Sequence, residues 1–475
     1  MRQPHPARLT RRAALSALAA PFAAAQQRRP PNIVLILADD LGWADLAAYG
    51  ADLHETPHTT RLAGESIRFT NAYAAAPVCS PTRAAIMTGK HPARLGITTW
   101  HESALNPPKN RKLIPPVAVA NLPLEETTIA ERLHNAGYFT AAVGKWHLGT
   151  GGFYPENQGF DVNTGGTFWG APQTFFWPYR GTRHFGGEAR YVPGLPFGRP
   201  GEYLTDRLTD EALTVIDHAA GRPFFLYLAH HAPHTPVEGK ADKVARYRAK
   251  ITPGMHHRNP EYAAMVESFD ESVGRVMDRL RERGLEQDTL LIVTSDNGGF
   301  INPYEGQAVT DNAPLRSGKG SLYEGGLRVP LFLRWPGAAA GAACDTPVVS
   351  TDLYATMLEA AGLDGGARDG LSLRPLAQDP KARLPRNELY FHYPHYYPTT
   401  TPVSAIREGD WKLVEYYEDG RVELYDLRED PSESRDLAAS VPDRARRMRA
   451  KLAAWKKETG ARLPERNGNL TGARP

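Results

Sequence analysis

The stretch Asn32–Ala38, which reads NIVLILA, is a continuous run of β-branched and aliphatic residues. A run of this kind predicts a strand that is buried on both faces, as strands of a parallel sheet are. Similar runs recur along the chain at Tyr138–Val143, Phe224–His230, Thr289–Thr294 and Pro330–Arg334. The chain therefore holds at least one extended, fully covered sheet.

Helical patterns separate these strands. They cover Thr128–Ala136, Leu208–Ala219, Tyr262–Arg283 and Thr351–Ala361. The alternation predicts an α/β fold, with a large, mixed, mostly parallel sheet sandwiched by helices. We expect this large domain to span residues 30–376. Long loops rich in glycine, proline and aromatic residues interrupt it, and loops of that length are usually functional.

The pattern changes in the last hundred residues. Short strand patterns at Ser404–Glu408, Trp411–Tyr416 and Arg421–Asp426 predict a small antiparallel sheet, and Pro442–Lys457 predicts an amphipathic helix packed on it. We expect a small C-terminal α+β domain over residues 386–460. Residues 461–475 are predicted to form a disordered tail.

The N-terminus has the features of a targeting segment. Thr10–Leu15 contains a twin-arginine pair, and a short apolar run ending in Ala23–Ala25 follows it. We predict that residues 1–25 are a cleaved twin-arginine-type signal peptide and that the protein is exported, either periplasmic or secreted. The apolar run is too short to cross a bilayer, so no membrane span is expected.

Charge argues against one class of partner. Residues 1–25 carry four arginines and no acidic residue, so their removal lowers the formal net charge from +3 to −1. A chain this close to neutral is not expected to bind nucleic acid.

Polar residues follow two of the predicted strands directly. Asp39 and Asp40 come after the first strand, and Asp296 and Asn297 come after the Thr289–Thr294 run. Ligands bind outside the carboxyl ends of strands in open α/β sheets. Carboxylate and amide oxygens suit Ca²⁺, or alternatively Mg²⁺. Taken alone, Asp39–Asp40 would be read as a helix cap or turn.

A further motif begins at Cys79 and reads Cys79-Ser80-Pro81-Thr82-Arg83, continuing to Gly89. Pro81 suits the first turn of a helix, which places Cys79 at the helix N-terminus, where an anion is favoured. The segment resembles the signature of the formylglycine-dependent (type I) sulfatases, within the alkaline-phosphatase-like superfamily. Thr82 stands where serine is commoner in that family and keeps the hydroxyl group.

Other blocks extend the resemblance in the family's order. They are Gly144–Gly149 (GKWHLG), Pro233–Pro236 (PHTP) and Lys319–Pro330 (KGSLYEGGLRVP). The resemblance implies an arylsulfatase-type sulfuric ester hydrolase. It implies that Cys79 is oxidised to formylglycine by a separate maturation enzyme, and that a metal is held by Asp39, Asp40, Cys79, Asp296 and Asn297.

The resemblance also implies roles for the basic residues. Arg83 would support the formylglycine hydrate, Lys145 and Lys319 would clamp the sulfate, His234 would bind substrate and protonate the leaving oxygen, and His147 would act as the base that releases sulfate. With Cys79 modified, Cys344 has no partner for an intrachain disulfide. We expect Cys344 to be an incidental loop residue.

The resemblance implies that the substrate is a sulfated small molecule or saccharide, and the sequence favours a sulfated carbohydrate. Aromatic residues at Phe168–Trp177 and Phe391–Tyr397 could stack on sugar rings at a cleft rim, and His392 and His395 are predicted to bind substrate there. Alternatively, both segments pack the interface between domains. Other functions left open are a small-aryl arylsulfatase, a phosphomonoester or phosphonate hydrolase, and an inactive protein that binds sulfated glycans.

Overall fold

The computed structural model describes residues 29–219, 221–338, 340–366 and 368–469. The predicted signal peptide lies outside the described residues. Among those residues, no helix is both long and apolar enough to cross a bilayer.

A nine-stranded sheet forms the centre of the large domain. Its order across the sheet is 342–344, 67–73, 328–334, 289–295, 32–38, 224–229, 139–144 and 162–164, and the 348–349 strand also pairs with 67–73. Only Arg328–Arg334 runs antiparallel to its neighbours. This is the mixed, mostly parallel sheet that the sequence predicts.

The central strand shows why the NIVLILA run determines the fold. Every residue of Asn32–Ala38 is buried. Ile33, Leu35 and Leu37 point into the core on one face, and Val34, Ile36 and Ala38 point into the core on the other. Helices cover both faces, so a strand without a polar face is stable there.

The helices of the large domain divide between the two faces. Cys79–Thr88, Ile129–Asn135 and Thr351–Ala360 cover one face. Leu204–His218 and Pro260–Glu282 cover the other. The remaining helices are Pro57–Glu65, Pro92–Leu95, His101–Leu105, Ala241–Lys250, Glu324–Leu327 and Arg374–Gln378.

The C-terminal part forms a four-stranded antiparallel sheet with strands Glu388–Tyr393, Val403–Glu408, Trp411–Tyr416 and Val422–Asp426. The helix Pro442–Glu458 packs on one face through Met448 and Leu452. The fold therefore agrees with the predicted class, and the predicted strand and helix ends lie within four residues of the observed ends, several of them at the same residue. Strand Glu388–Tyr393 is an addition that the sequence patterns did not identify as a strand.

A buried ionic network joins the two sheets. Glu324 begins the short helix that leads into strand Arg328–Arg334, and it accepts a hydrogen bond from Lys412 Nζ at 2.9 Å. The same Nζ is 2.9 Å from Glu433 Oε1, and both side chains of this pair are fully buried. Glu433 Oε2 accepts the backbone N–H of Glu324 at 2.7 Å. Because an unpaired buried charge is costly, the two sheets depend on each other for stability.

Two sequence predictions of local structure are wrong. Residues 461–469 are not a disordered tail, because Glu465–Arg466 pairs with Leu113–Ile114 and Arg462 donates to the carbonyl of Val117. Residues 470–475 lie outside the described part. Cys344 is not a loop residue, because it ends the short strand Ala342–Cys344 and is fully buried. The surrounding sequence is rich in alanine and glycine, so it gave no strand pattern and no sign that Cys344 would be buried.

Candidate active site

The two polar pairs meet at one edge of the large sheet. Strands Asn32–Ala38 and Thr289–Ser295 are parallel neighbours with Ala38 opposite Ser295, so the residues that follow them are adjacent. The N–H of Asp40 donates to Asp296 Oδ1 at 3.2 Å, and Asn297 Nδ2 donates to Asp40 Oδ1 at 2.8 Å. The structure thus brings together the residues that the sequence placed at strand ends.

These groups have the composition of a site for a hard cation. Asp39, Asp40, Asp296 and Asn297 are all fully buried. Asn297 Oδ1 is buried and has no hydrogen-bond partner among the described residues. A buried acceptor without a partner, next to three carboxylates, fits a divalent cation that prefers oxygen ligands. Asp40 also has φ of 65°, a conformation that an aspartate adopts at some cost.

Three basic side chains neutralise the carboxylates. Lys145 Nζ donates to Asp39 Oδ2 at 2.7 Å, and Lys319 Nζ donates to Asp40 Oδ2 at 2.8 Å. Arg83 Nε donates to Asp296 Oδ2 at 2.8 Å. Each buried carboxylate therefore has a basic partner. Such pairing is needed because an unpaired charge is costly to bury.

The adjacent carboxylates of Asp39 and Asp40 differ in pKa. Burial raises the pKa of Asp39 to about 7, and Asp296 and Asp40 add to that effect. For Asp40, burial is outweighed by Lys319 and His234, which lower its pKa to about 2. A cation bound here would favour the ionised form of both groups.

Cys79 begins the helix Cys79–Thr88 and lies beside the carboxylates. Its Sγ is 3.5 Å from Asp39 Oδ1. Thr82 Oγ1 caps the preceding turn by accepting from the N–H of Ala76 at 3.1 Å, which shows why a hydroxyl at this position matters. Burial raises the pKa of the Cys79 thiol above its usual range, so the helix N-terminus does not make it an anion.

His147 lies on the other side of the cavity and contacts a carboxylate that the sequence did not indicate. Its Nε2 is 3.3 Å from Glu102 Oε2, and Glu102 Oε1 is 3.6 Å from the Arg190 guanidinium. Burial lowers the pKa of His147 to about 4, with Lys145 adding to the effect and Glu102 opposing it. The imidazole is therefore neutral at pH 7, with Nε2–H donated to Glu102.

The Nδ1 atom of His147 is buried and has no hydrogen-bond partner within the described ranges. With the proton on Nε2, this nitrogen carries the free lone pair. His147 also has φ of 61°, an uncommon value for a residue with a side chain. His147 lines the cavity, and Nδ1 is the ring nitrogen that can accept a proton.

His234 is held in one tautomer. Its Nδ1 donates to the carbonyl of Thr235 at 2.7 Å, which leaves Nε2 unprotonated at 3.5 Å from Asp40 Oδ2. Burial and the charge of Lys319 lower the pKa of His234 to about 3. Asp39, Asp40, Cys79 and His234 can bring one ligand atom each within 4.8 Å of one another, so His234 also belongs to a possible metal-binding group.

The cavity in front of Cys79 has a volume of about 290 Å³. Its lining includes Cys79, His147, His234 and Lys319, which were predicted, and Glu102, Arg190, Trp100, Phe185, Phe300 and Tyr397, which were not assigned. The sequence offered one signal for three residues of the second group, because Phe185, Arg190 and Phe300 lie in the long glycine- and proline-rich loops 149–201 and 298–326. Glu102 and Trp100 gave none, because no strand or motif precedes them.

His392 and His395 do not line this cavity. His392 is buried, with Nδ1 2.7 Å from Ser404 Oγ and Nε2 donating to the carbonyl of Arg462 at 2.9 Å. His395 Nε2 is 2.7 Å from Thr98 Oγ1. Both rings are buried and hydrogen-bonded within the protein, so the structure does not place them at the rim where they were predicted to bind substrate. Tyr397, from the same segment, does reach the cavity.

Comparison with known proteins agrees with this geometry. The family model described as Sulfatase matches residues 31–363, which is more than half of the chain. The chain belongs to the sulfatase family. A second model, the C-terminal region of N-sulphoglucosamine sulphohydrolase, matches residues 318–458. The protein is therefore a sulfatase enzyme, a hydrolase of sulfate esters.

Relatives of known name support the same family. A sulfatase of Formosa agariphila is 32% identical over 501 residues, covering 90% of this chain and 88% of that protein. The N-acetylgalactosamine-6-sulfatase of Rattus norvegicus is 37% identical over 380 residues, covering 76% of this chain and 68% of that sulfatase.

Solved structures share the fold. The crystal structure of Ps i-CgsB is 30% identical with a TM-score of 0.77, covering 91% of this chain and 94% of that one. Its complex with k-i-k-neocarrahexaose gives a TM-score of 0.74 at the same identity and coverage.

Proposed function

We propose that this sulfatase is an exported, formylglycine-dependent enzyme that removes sulfate from a carbohydrate with the help of one bound Ca²⁺, or alternatively Mg²⁺. The observation that carries the proposal is the position of Cys79, at a helix start and 3.5 Å from Asp39, with Lys145 and Lys319 beside the same carboxylates. Each part of the proposal has separate support.

The modification of Cys79 is supported by the chemistry of the unmodified residue. A buried thiol with a raised pKa is a poor nucleophile. Oxidation to formylglycine, by a separate maturation enzyme, would supply a hydrate with one hydroxyl to attack sulfur and another to release it. The Sγ of Cys79 stands where these hydroxyl oxygens would lie.

The metal would be held by Asp39, Asp40, Asp296 and Asn297, with the modified Cys79 adjacent. Support comes from the unpartnered Oδ1 of Asn297 beside the buried carboxylates. When bound, the metal would supply Lewis-acid stabilisation of the sulfate oxygens.

The basic residues would bind the sulfate group. Lys145 and Lys319 carry fixed positive charge beside the nucleophile, and a dry, preorganised site makes such charge effective on a transition state. Arg83 is fully buried behind Asp296, and its second contact is the carbonyl of Lys145 at 3.0 Å. Arg83 would therefore hold the carboxylates and Lys145 in place rather than contact the ester.

Two histidines would move protons. His147 would accept a proton at Nδ1 during sulfate release, and Glu102 would stabilise the imidazolium that forms. His234 would donate a proton to the departing oxygen from Nε2. That role requires protonation, and a bound anionic substrate would raise the pKa of His234 from its value of about 3. Lys319 is the second candidate proton donor.

A carbohydrate is the favoured substrate class for two reasons. The cavity combines aromatic rings with polar groups such as Glu102 and Arg190, a lining that suits a sugar bearing several hydroxyl groups. Ps i-CgsB, which shares the fold at 30% identity, was solved with an oligosaccharide. A small aryl sulfate is the second candidate, because the same rings can stack on an aryl group.

One experiment tests the proposal at its centre. The protein is coexpressed with a formylglycine-generating enzyme, purified and digested. The mass of the peptide that contains Cys79 is then measured by mass spectrometry. Conversion of Cys79 to formylglycine lowers its mass by about 18 Da. Release of sulfate by the converted protein, and none by the unconverted protein, is the expected result. Equal turnover by unconverted protein would contradict the proposed nucleophile.

A further inference from the structure

A second group of ligand-type side chains is buried away from the cavity of Cys79. Asp45, His54 and His257 are 0%, 4% and 3% exposed. One oxygen of Asp45 and one ring nitrogen of each histidine lie within 4.8 Å of one another. The three residues come from three separate segments, so only the fold brings them together. The function proposed above uses none of them.

The ring of His257 forms a hydrogen bond on one side and a longer ion-pair contact on the other. Its Nδ1 is 2.7 Å from Asp52 Oδ1. Its Nε2 points at Asp45 Oδ1 from 3.4 Å and has no hydrogen bond to the part of the chain that the structure describes. A buried ring nitrogen in this condition needs a partner.

The ring of His54 is oriented in a similar way. Its Nδ1 is 2.8 Å from the backbone carbonyl of Asp45. A carbonyl oxygen can only accept a hydrogen bond, so Nδ1 carries the proton of the neutral ring. The lone pair is therefore on Nε2. A histidine that binds a metal usually donates its other N–H to a carboxylate or a carbonyl, and both rings have such an acceptor on Nδ1.

One measured separation between ligand atoms suits a small metal ion, and the three atoms together lie within 4.8 Å of one another. Zinc bonds of about 2.0–2.2 Å place the ligands of a tetrahedron about 3.3–3.6 Å apart. Nε2 of His257 and Oδ1 of Asp45 are 3.4 Å apart. Two imidazoles with one carboxylate favour a borderline transition metal over Ca²⁺, which prefers oxygen ligands.

We propose that Asp45, His54 and His257 bind one divalent transition metal, Zn²⁺ by ligand type, with water as the fourth ligand. Asp52 and the carbonyl of Asp45 orient the two imidazoles. The three side chains are buried, which favours a structural role over a catalytic one.

The metal would also restrict the motion of the segment after strand Asn32–Ala38, which carries both Asp40 and Asp45. Tyr262 Oη donates to Asp45 Oδ2 at 2.6 Å and lies 3.2 Å from the backbone carbonyl of Asp40. Asp45 is thus tied through one tyrosine to the backbone of a proposed calcium ligand. Fixing Asp45 fixes the loop that carries Asp40.

Zinc binding to the full chain tests the proposal. The protein is stripped with a chelator, returned to Ca²⁺, and titrated with Zn²⁺ by calorimetry, with metal content measured after dialysis. We compare His257→Gln with His256→Gln, because His256 is the adjacent, exposed histidine that also contacts an aspartate. We expect His257→Gln to abolish one zinc site per chain, Asp52→Asn to weaken it about 10- to 100-fold, and His256→Gln to leave it unchanged.

The two variants share an intact Cys79, so zinc bound there cancels in the comparison. Equal uptake by His257→Gln and His256→Gln, or no uptake by the wild type, would overturn the proposal. If the wild type takes up no zinc, His257 is instead protonated and forms ion pairs with both Asp45 and Asp52. If His257→Gln does not fold, Co²⁺ is added to a Cys79→Ala protein instead. Tetrahedral Co²⁺ absorbs visible light intensely, and the lack of that absorption would also overturn the proposal.

Discussion

Glu102 Oε2 lies 3.3 Å from Nε2 of His147, although 44 residues separate the two in the chain. Glu102 belongs to a five-residue helix, His101–Leu105, that lies over the cavity. The contact sets the tautomer of His147 and leaves its Nδ1 free. A carboxylate that orients an imidazole in this way makes the imidazole a better base.

Replacing Glu102 with glutamine should lower kcat by at least about tenfold, a part of the roughly 10²- to 10⁴-fold that a positioned base contributes. Glu102 raises the pKa of His147 against the effect of burial. Loss of its charge should therefore move the acid limb of the kcat–pH profile to lower pH. Glu188→Gln is the control, because Glu188 contacts Arg190 but is not among the partners of His147. Matching profiles for the two variants would rule out a role through His147.

Replacing Cys79 with serine should give a single turnover. Serine supplies one hydroxyl group for attack and lacks the second hydroxyl that would release sulfate. Mass spectrometry of the intact protein after incubation with substrate should show one added sulfo group. Cys79→Ala should fold and show neither the adduct nor turnover, since alanine is well tolerated at a helix start. Repeated turnover by the serine variant would be incompatible with the aldehyde mechanism.

Replacing Asn297 with alanine should weaken the activating cation by about tenfold or more, because one oxygen ligand is removed. Chelator-treated protein is titrated with Ca²⁺ or Mg²⁺, and sulfate release is measured. Asn297→Ala is a cleaner test than Asp296→Ala, which would leave the buried Arg83 without its closest carboxylate. Asn71→Ala, which removes an amide hydrogen-bonded to the carbonyl of Asp345 and not to the carboxylates, is the control. Unchanged metal dependence would remove Asn297 from the site.

Replacing His392 with alanine should cost about 2–4 kcal/mol of stability, because a buried ring and two hydrogen bonds are lost. The folded fraction should hydrolyse a sulfated saccharide and a small aryl sulfate in the wild-type ratio. Phe300→Ala, which alters the cavity lining, should change that ratio by raising KM for the saccharide. Denaturant unfolding and kinetics on both substrates give the measurements. A change of ratio in His392→Ala alone would restore its role in recognition.

The sequence predicted the site residues that follow strands. Asp39, Asp40, Asp296 and Asn297 directly follow two buried runs, and parallel strands of one sheet end at the same edge. The positions of Lys145 and His234 follow from the same rule, because each comes just after a buried strand. Local sequence therefore determines this part of the site almost completely.

The residues that the sequence missed reach the cavity from irregular segments. Glu102 and Arg190 meet across 88 positions of the chain, and no period or motif connects them. The errors at His392 and His395 have a different cause. A polar aromatic residue can serve in a rim or in a core, and only its partners, here Ser404, Arg462 and Thr98, distinguish the two.

The buried contact between Glu324 and Lys412 limits how relatives of this protein can recombine. A crossover between residues 376 and 386, at the boundary that sequence patterns favour, would pair the Glu324 of one parent with the Lys412 and Glu433 of another. A crossover just before residue 318 would inherit all three together. The C-terminal family model also begins at residue 318, so the heritable unit at this end of the chain is larger than the small sheet itself. Chimeras joined at the earlier point should remain soluble more often than those joined at the later one.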